Sequence, residues 1–257
     1  MLQLFGYLSL FRTSFRVALK QKIRYPAAAL AYYAFVSFAP LLVLTFAAVG
    51  RPLAVEFSRV APSFLTPPVR KLVTQSITTA NGRTGAGVLA VLVLGWCGAN
   101  AVGDIRTVIE QIEGTAQNRL RDLVRDSVVI LGSIGLALLA VATTSILFAL
   151  PPAGPLVELA SFFGLWVTLA VVFVPLYYVP SRVVATPRAA LPGALTASFG
   201  WTVLNTALHF YSTHAGQYAI YGVLSGIVIL LTSFYLAASL LLTGIIVNDQ
   251  RQTESSL

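Results

Sequence analysis

Apolar residues fall along the chain in long unbroken runs, neither at the three-to-four spacing of a surface helix nor in the alternation of a half-buried strand. Six runs, at 26–50, 85–105, 126–150, 156–179, 190–210 and 218–247, match or exceed the ~20 residues an α-helix needs to cross the hydrocarbon core. The pattern predicts an all-α, polytopic integral membrane protein. Its single membrane domain over residues 1–257 is a bundle of six transmembrane helices with short amphipathic interfacial helices, and residues 248–257 form a cytoplasmic tail. The last run exceeds the required length, so tilt or protrusion beyond the bilayer is expected.

The segments between the runs are patterned too. In the outer loop 51–84, Leu53, Phe57, Val60 and Ala61 share one helical face opposite Glu56 and Arg59. After "TPP", Val69, Leu72, Val73 and Ile77 repeat the arrangement opposite Arg70 and Lys71, which predicts a structured loop of two helices lying on the outer surface. Residues 1–25 form a third amphipathic segment, with Leu4, Leu8, Phe11, Phe15 and Leu19 beside Arg12, Arg16 and Lys20. Its expected partners are membrane lipids, through anionic headgroups worth ~1 kcal/mol per basic residue near the surface.

Composition agrees with the pattern, since 57% of residues are hydrophobic and 10% charged, against about 25% charged in soluble domains. With the N-terminus inside, twelve of the 17 basic residues fall in inner segments and five in the first outer loop. The positive-inside rule then favours a multi-pass plasma-membrane protein with both termini cytoplasmic. The net charge of +8 is accounted for by these juxtamembrane residues, and no nucleic-acid-binding module accompanies it. Cys97 is the single cysteine, so there is no internal disulfide, and no cofactor or metal motif stands out.

Polar residues within the runs carry the candidate chemistry, because each is costly in lipid and tends to face protein or a wet cavity. In the first run Tyr33 and Ser37 share a face, and Pro40 releases a carbonyl near Val36 and predicts a kink. Tyr32 and Tyr33 also suit a headgroup belt. In the second, Asn100 and Asp104 lie one turn apart beside the small residues Gly95, Ala99 and Gly103; Asp104 is alternatively the helix end. In the fifth, Trp201, Asn205 and His209 form one stripe, with His209 and His214 near the outer interface. In the sixth, Gly222 and Gly226 form a GxxxG pair, and Ser225, Thr232 and Ser239 recur every seven residues. This is a seam for helix packing, in which a second copy of the chain is one candidate partner, or the lining of a polar path. No nucleophile–base pair, paired carboxylates or P-loop occurs in the runs, so no enzyme is expected.

The stretches "AAALAYYAFVSFAPLLVL", "YYVPSRVVATPRAALPGALTASFGW" and "YAIYGVLSGIVILLTSFYLAASLLLTGIIVN" together resemble the YihY/BrkB family of polytopic membrane proteins, over essentially the whole chain. The resemblance implies six helices, a bacterial or archaeal plasma membrane and a poorly defined function. An older ribonuclease label travels with the family, as does a transport role linked in some relatives to lipid-like molecules. Nothing in these residues would bind a catalytic metal or activate a water, which favours transport. The family's last helix usually carries a glutamate where this chain has Ile246, followed by an asparagine that Asn248 matches; Asp249 lies at another helical angle. The expectation is therefore a transporter or lipid translocator whose first, second, fifth and sixth helices enclose a path lined by Tyr33, Ser37, Asn100, Asn205 and Ser225. A non-transporting membrane scaffold is the alternative.

Overall fold

The computed structural model of the protein describes residues 23–49, 80–114, 120–149, 155–214 and 223–255. Among them there is no strand. Six helices follow in order: α1 (Arg24–Val49), α2 (Ala80–Glu113), α3 (Leu120–Ala149), α4 (Pro155–Tyr178), α5 (Leu191–His214) and α6 (Val223–Ser255). Segments of 24 to 34 residues become continuous helices because an apolar medium leaves backbone N–H and C=O groups no partners but each other.

Among the described residues, four stretches are long and apolar enough to cross a membrane: Gly87–Glu113 in α2, Leu120–Thr144 in α3, Leu159–Tyr178 in α4 and Gly226–Thr253 in α6. Together with exposed Leu92, Val128, Leu139, Val167 and Val171 on the outside of the bundle, they make this an integral membrane protein. In α5, Thr196, Ser198, Thr202, Asn205, Thr206 and His209 dilute the apolar run.

Sequential helices pack side by side, and α1 closes on α6, so the six form a ring. The contacts are uneven. Helices α1 and α2, α4 and α5, and α5 and α6 share long interfaces, whereas α2 and α3 barely touch. Ile105, Ile130, Leu169, Phe173, Leu176 and Leu242 fill the centre and are fully buried.

Several boundaries differ from those the apolar runs suggest. Helix α2 passes residue 105 and ends at Glu113, because Val108 and Ile109 continue its buried stripe. Gly114, at φ 67°, then supplies the left-handed turn that stops a helix. Helix α3 starts at Leu120, with Asp122 in the first turn where a negative charge meets the positive helix end. The segment expected to be a tail from 248 is helical to Ser255, with Asn248 buried. Helix α1 runs unbroken through Pro40. The amphipathic N-terminal segment to residue 22, most of the outer loop, and Gly222 lie outside the described residues.

Close helix approach occurs at a different place from the two small-residue rows read in the sequence. A Cβ added at Gly95, Gly103 or Gly226 would meet nothing within 4 Å, because those faces turn outward. Helices α5 and α6 instead meet through Gly193 and Gly244: a Cβ on either would overlap the other's backbone, and one on Gly244 would also overlap the Tyr177 hydroxyl. Gly244→Ala should therefore cost about 1–3 kcal/mol through overpacking, read as a lower unfolding temperature of the purified protein. Gly226→Ala should change it little.

Candidate functional site

The 179–190 connection between α4 and α5 is where most of the described charges converge. Its sequence, "VPSRVVATPRAA", has two prolines that prevent a regular helix and leave backbone groups to be satisfied by side chains. Glu113, at the end of α2, accepts from the Ser181 hydroxyl and from Arg182 N at 2.8 Å. Ser181 Oγ in turn accepts from Val184 N at 2.9 Å, closing a tight turn. Asp122 of α3 pairs with Arg182 at 2.7 Å, and Arg125 of α3 donates to Val179 O at 2.8 Å. From α6, Asn248 accepts from Gly193 N at 2.7 Å and donates to Ala190 O at 3.3 Å, tying down the entry to α5. The Tyr177 hydroxyl donates to Leu241 O at 2.8 Å. Three helices, α2, α3 and α6, are thus fixed to one short segment, which marks the ionic end of the bundle.

Asp126 lies deepest there and is fully buried. One carboxylate oxygen meets Arg125 at 3.3 Å, and the other lies 3.5 Å from Arg106 Nε, an ionic contact rather than a hydrogen bond. Arg106 belongs to α2 and Asp126 to α3, so this buried pair spans the thinnest contact of the ring. Gly98, against the Leu131 side chain, is another point where α2 and α3 meet.

A cavity of about 10 Å³ opens among Glu113, Tyr177, Ser181, Asn248 and Asp249. That is room for about one water. With Glu113 held by Ser181 and Arg182, the ionic end works as a structural joint.

The second cluster lies between α1 and α2 and joins three of the residues singled out in the sequence. The Tyr33 ring stands edge-on to Trp96 at 5.9 Å and to Tyr32 at 5.7 Å, and Asp104 is among its electrostatic neighbours. Trp96, Asn100 and Asp104 recur every four residues and so share one face of α2. The Asn100 amide donates to Trp96 O at 2.7 Å within its own helix. Asp104 is half-buried, and its buried Oδ2 has no hydrogen-bond partner. Ser37 and Pro40 continue α1, both half-buried.

The other expected site residues are dispersed. Asn205 and His209 are half-buried on α5, which packs on α4 and α6 and so is separated from the α1–α2 cluster. Trp201 of the same stripe donates to Ala237 O at 2.9 Å and stands edge-on to Phe173 at 5.3 Å, which makes it an α5–α6 fastening. Thr232 and Gly226 are exposed, the Ser239 hydroxyl bonds back to Tyr235 O, and the Ser225 side chain lies outside the described residues. Ser127, Thr143, Thr144, Thr196, Thr202 and Ser233 bond back in the same way, so a hydroxyl in these helices is satisfied without a path.

The family model described as virulence factor BrkB matches residues 14–256. The chain is 29% identical to a ribonuclease-like protein, YfkH of Bacillus subtilis (strain 168), over 85% of this chain and 86% of that one. No solved structure matches.

Removing one partner of a buried pair strands the other, so Asp126→Leu should destabilise the protein by about 3–5 kcal/mol. Adding Arg106→Met should recover most of that loss; thermal unfolding of both variants in detergent checks it. Asn248→Ala leaves Gly193 N–H unbonded, while Ala190 C=O keeps its bond from Ala194 N, and should cost about 1–3 kcal/mol in the same measurement.

Proposed function

The chain belongs to the BrkB family, and from that premise we propose that it is a six-span plasma-membrane translocator of a lipid-like amphiphile, with both termini cytoplasmic. The observation that carries this reading is Asp104. A half-buried carboxylate in a membrane-crossing stretch, with one oxygen lacking a hydrogen-bond partner, is expensive unless a polar substrate group or water meets it. Tyr33, Ser37 and Asn100 extend the polar strip along α1 and α2, and the sparse α2–α3 contact offers a lateral way in from the bilayer.

Transport is favoured over ribonuclease activity because the acids at the ionic end are engaged. Glu113, Asp122 and Asp126 bond to Ser181, Arg182, Arg106 and Arg125, which leaves them poorly placed to activate water. A non-transporting scaffold remains a second reading, supported by the back-bonded hydroxyls and the one-water cavity.

Reconstitution separates the readings. In liposomes carrying a headgroup-labelled phospholipid, the protein should speed exchange between leaflets, and Asp104→Asn or Tyr33→Phe should slow it about tenfold. With Cys97→Ser, a disulfide between Gly98→Cys and Leu131→Cys should block exchange until reduced. Exchange no faster than in empty vesicles would leave the scaffold.

A further inference from the structure

On the outer surface of α4 and α5, beside the 179–190 connection and away from the α1–α2 cluster, lies an apolar groove of about 140 Å³. Trp166, Val167, Ala170, Val171 and Val174 of α4 form one wall and Leu191 and Leu195 of α5 the other. The α4 residues fall at i, i+1, i+4, i+5 and i+8, one stripe of a helix, about 12 Å long at 1.5 Å per residue. All of that wall lies within the membrane-crossing stretch Leu159–Tyr178. The polar group of Trp166 is already used, its indole N–H donating to Leu195 O at 3.3 Å. Trp166 and Phe199, edge-on at 5.7 Å, form a rigid ring cluster with Phe162 at one end of the groove.

At the other end Leu191 N bonds to Arg188 O at 3.3 Å, so Arg188 stands one turn from the groove. Its side chain is exposed, and among the described residues no acid pairs with it, whereas Arg182 in the same connection is held by Asp122. A cation at the end of an all-apolar slot at membrane depth is complementary to a ligand with a hydrocarbon tail and a negatively charged head.

We infer that this groove binds one acyl chain of an anionic phospholipid, with Arg188 beside the net negative charge of its headgroup. The lipid is a bound partner of the α4–α5 face. The inference requires α4 in the bilayer and is independent of transport through α1 and α2.

Native mass spectrometry of the full chain, titrated with phosphatidylglycerol or with phosphatidylcholine of the same chains, tests it. The wild type should take up one phosphatidylglycerol at least fivefold more tightly than phosphatidylcholine. Arg188→Gln should lose that preference, about a fivefold effect for one basic residue at a surface, while Arg188→Lys should keep it. Ala170→Leu, which fills the floor, should weaken both lipids, and exposed Val171→Ser is the milder variant should the first not fold. Equal binding of the two lipids, or no effect of Arg188→Gln, would overturn the headgroup assignment. Displacement by millimolar inorganic phosphate would mark a free-anion site and overturn the acyl-chain assignment, as would unchanged binding in both groove variants.

Discussion

Asp126 is a carboxylate with no access to solvent, held between Arg106 of the preceding helix and Arg125 beside it. In a low-dielectric interior such a charge persists only with its partners, and losing one costs more than the pair contributes over an apolar substitute. The pair therefore specifies which helix ends meet more than it adds stability. It joins α2 to α3, where apolar contact is thinnest, and Arg125 passes the constraint to Val179 and so to the α4–α5 connection. Glu113 and Asn248 complete the joint from α2 and α6.

A ring fastened at one end and sparsely packed along one seam has an obvious mechanical consequence. The long interfaces α1–α2, α4–α5 and α5–α6 resist separation, the last through backbone approach at Gly193 and Gly244, while α2–α3 resists it mainly near Arg106 and Gly98. Helix separation at lowest cost is therefore along α2–α3. Asp104 belongs to α2, which borders this seam, and lies near Tyr33 of α1 across the α1–α2 contact.

The architecture was legible because the apolar runs are long and their chemistry is one-dimensional: length and apolarity suffice to predict a helix in lipid. Tyr33 and Asp104 were legible for the same reason, as polar groups out of place. What stayed hidden was three-dimensional. Arg106, Asp122, Arg125 and Arg182 read as ordinary juxtamembrane charges, and pairing between helices, as of Arg106 with Asp126 or of Asp122 with Arg182, has no local signature. The small rows at Gly95 and Gly226 misled because a glycine pattern permits close approach without saying which helix supplies it. Gly244, which does approach, belongs to no such row, while Gly193 lies four residues from both Ala189 and Ala197. Asn248 gave a hint, as a polar residue just past the last apolar run, but its partners at Ala190 and Gly193 are fixed only by the fold.

The central claim is that the buried pair closes the α2–α3 seam. Electron–electron distance measurements between spin labels at exposed Gly103 of α2 and Leu123 of α3, in a Cys97→Ser background, address it most directly. One narrow distance is predicted with Asp126 and Arg106 intact, a broad distribution in Asp126→Leu, and a narrow one again when Arg106→Met is added. An equally narrow distance in Asp126→Leu alone would contradict the account.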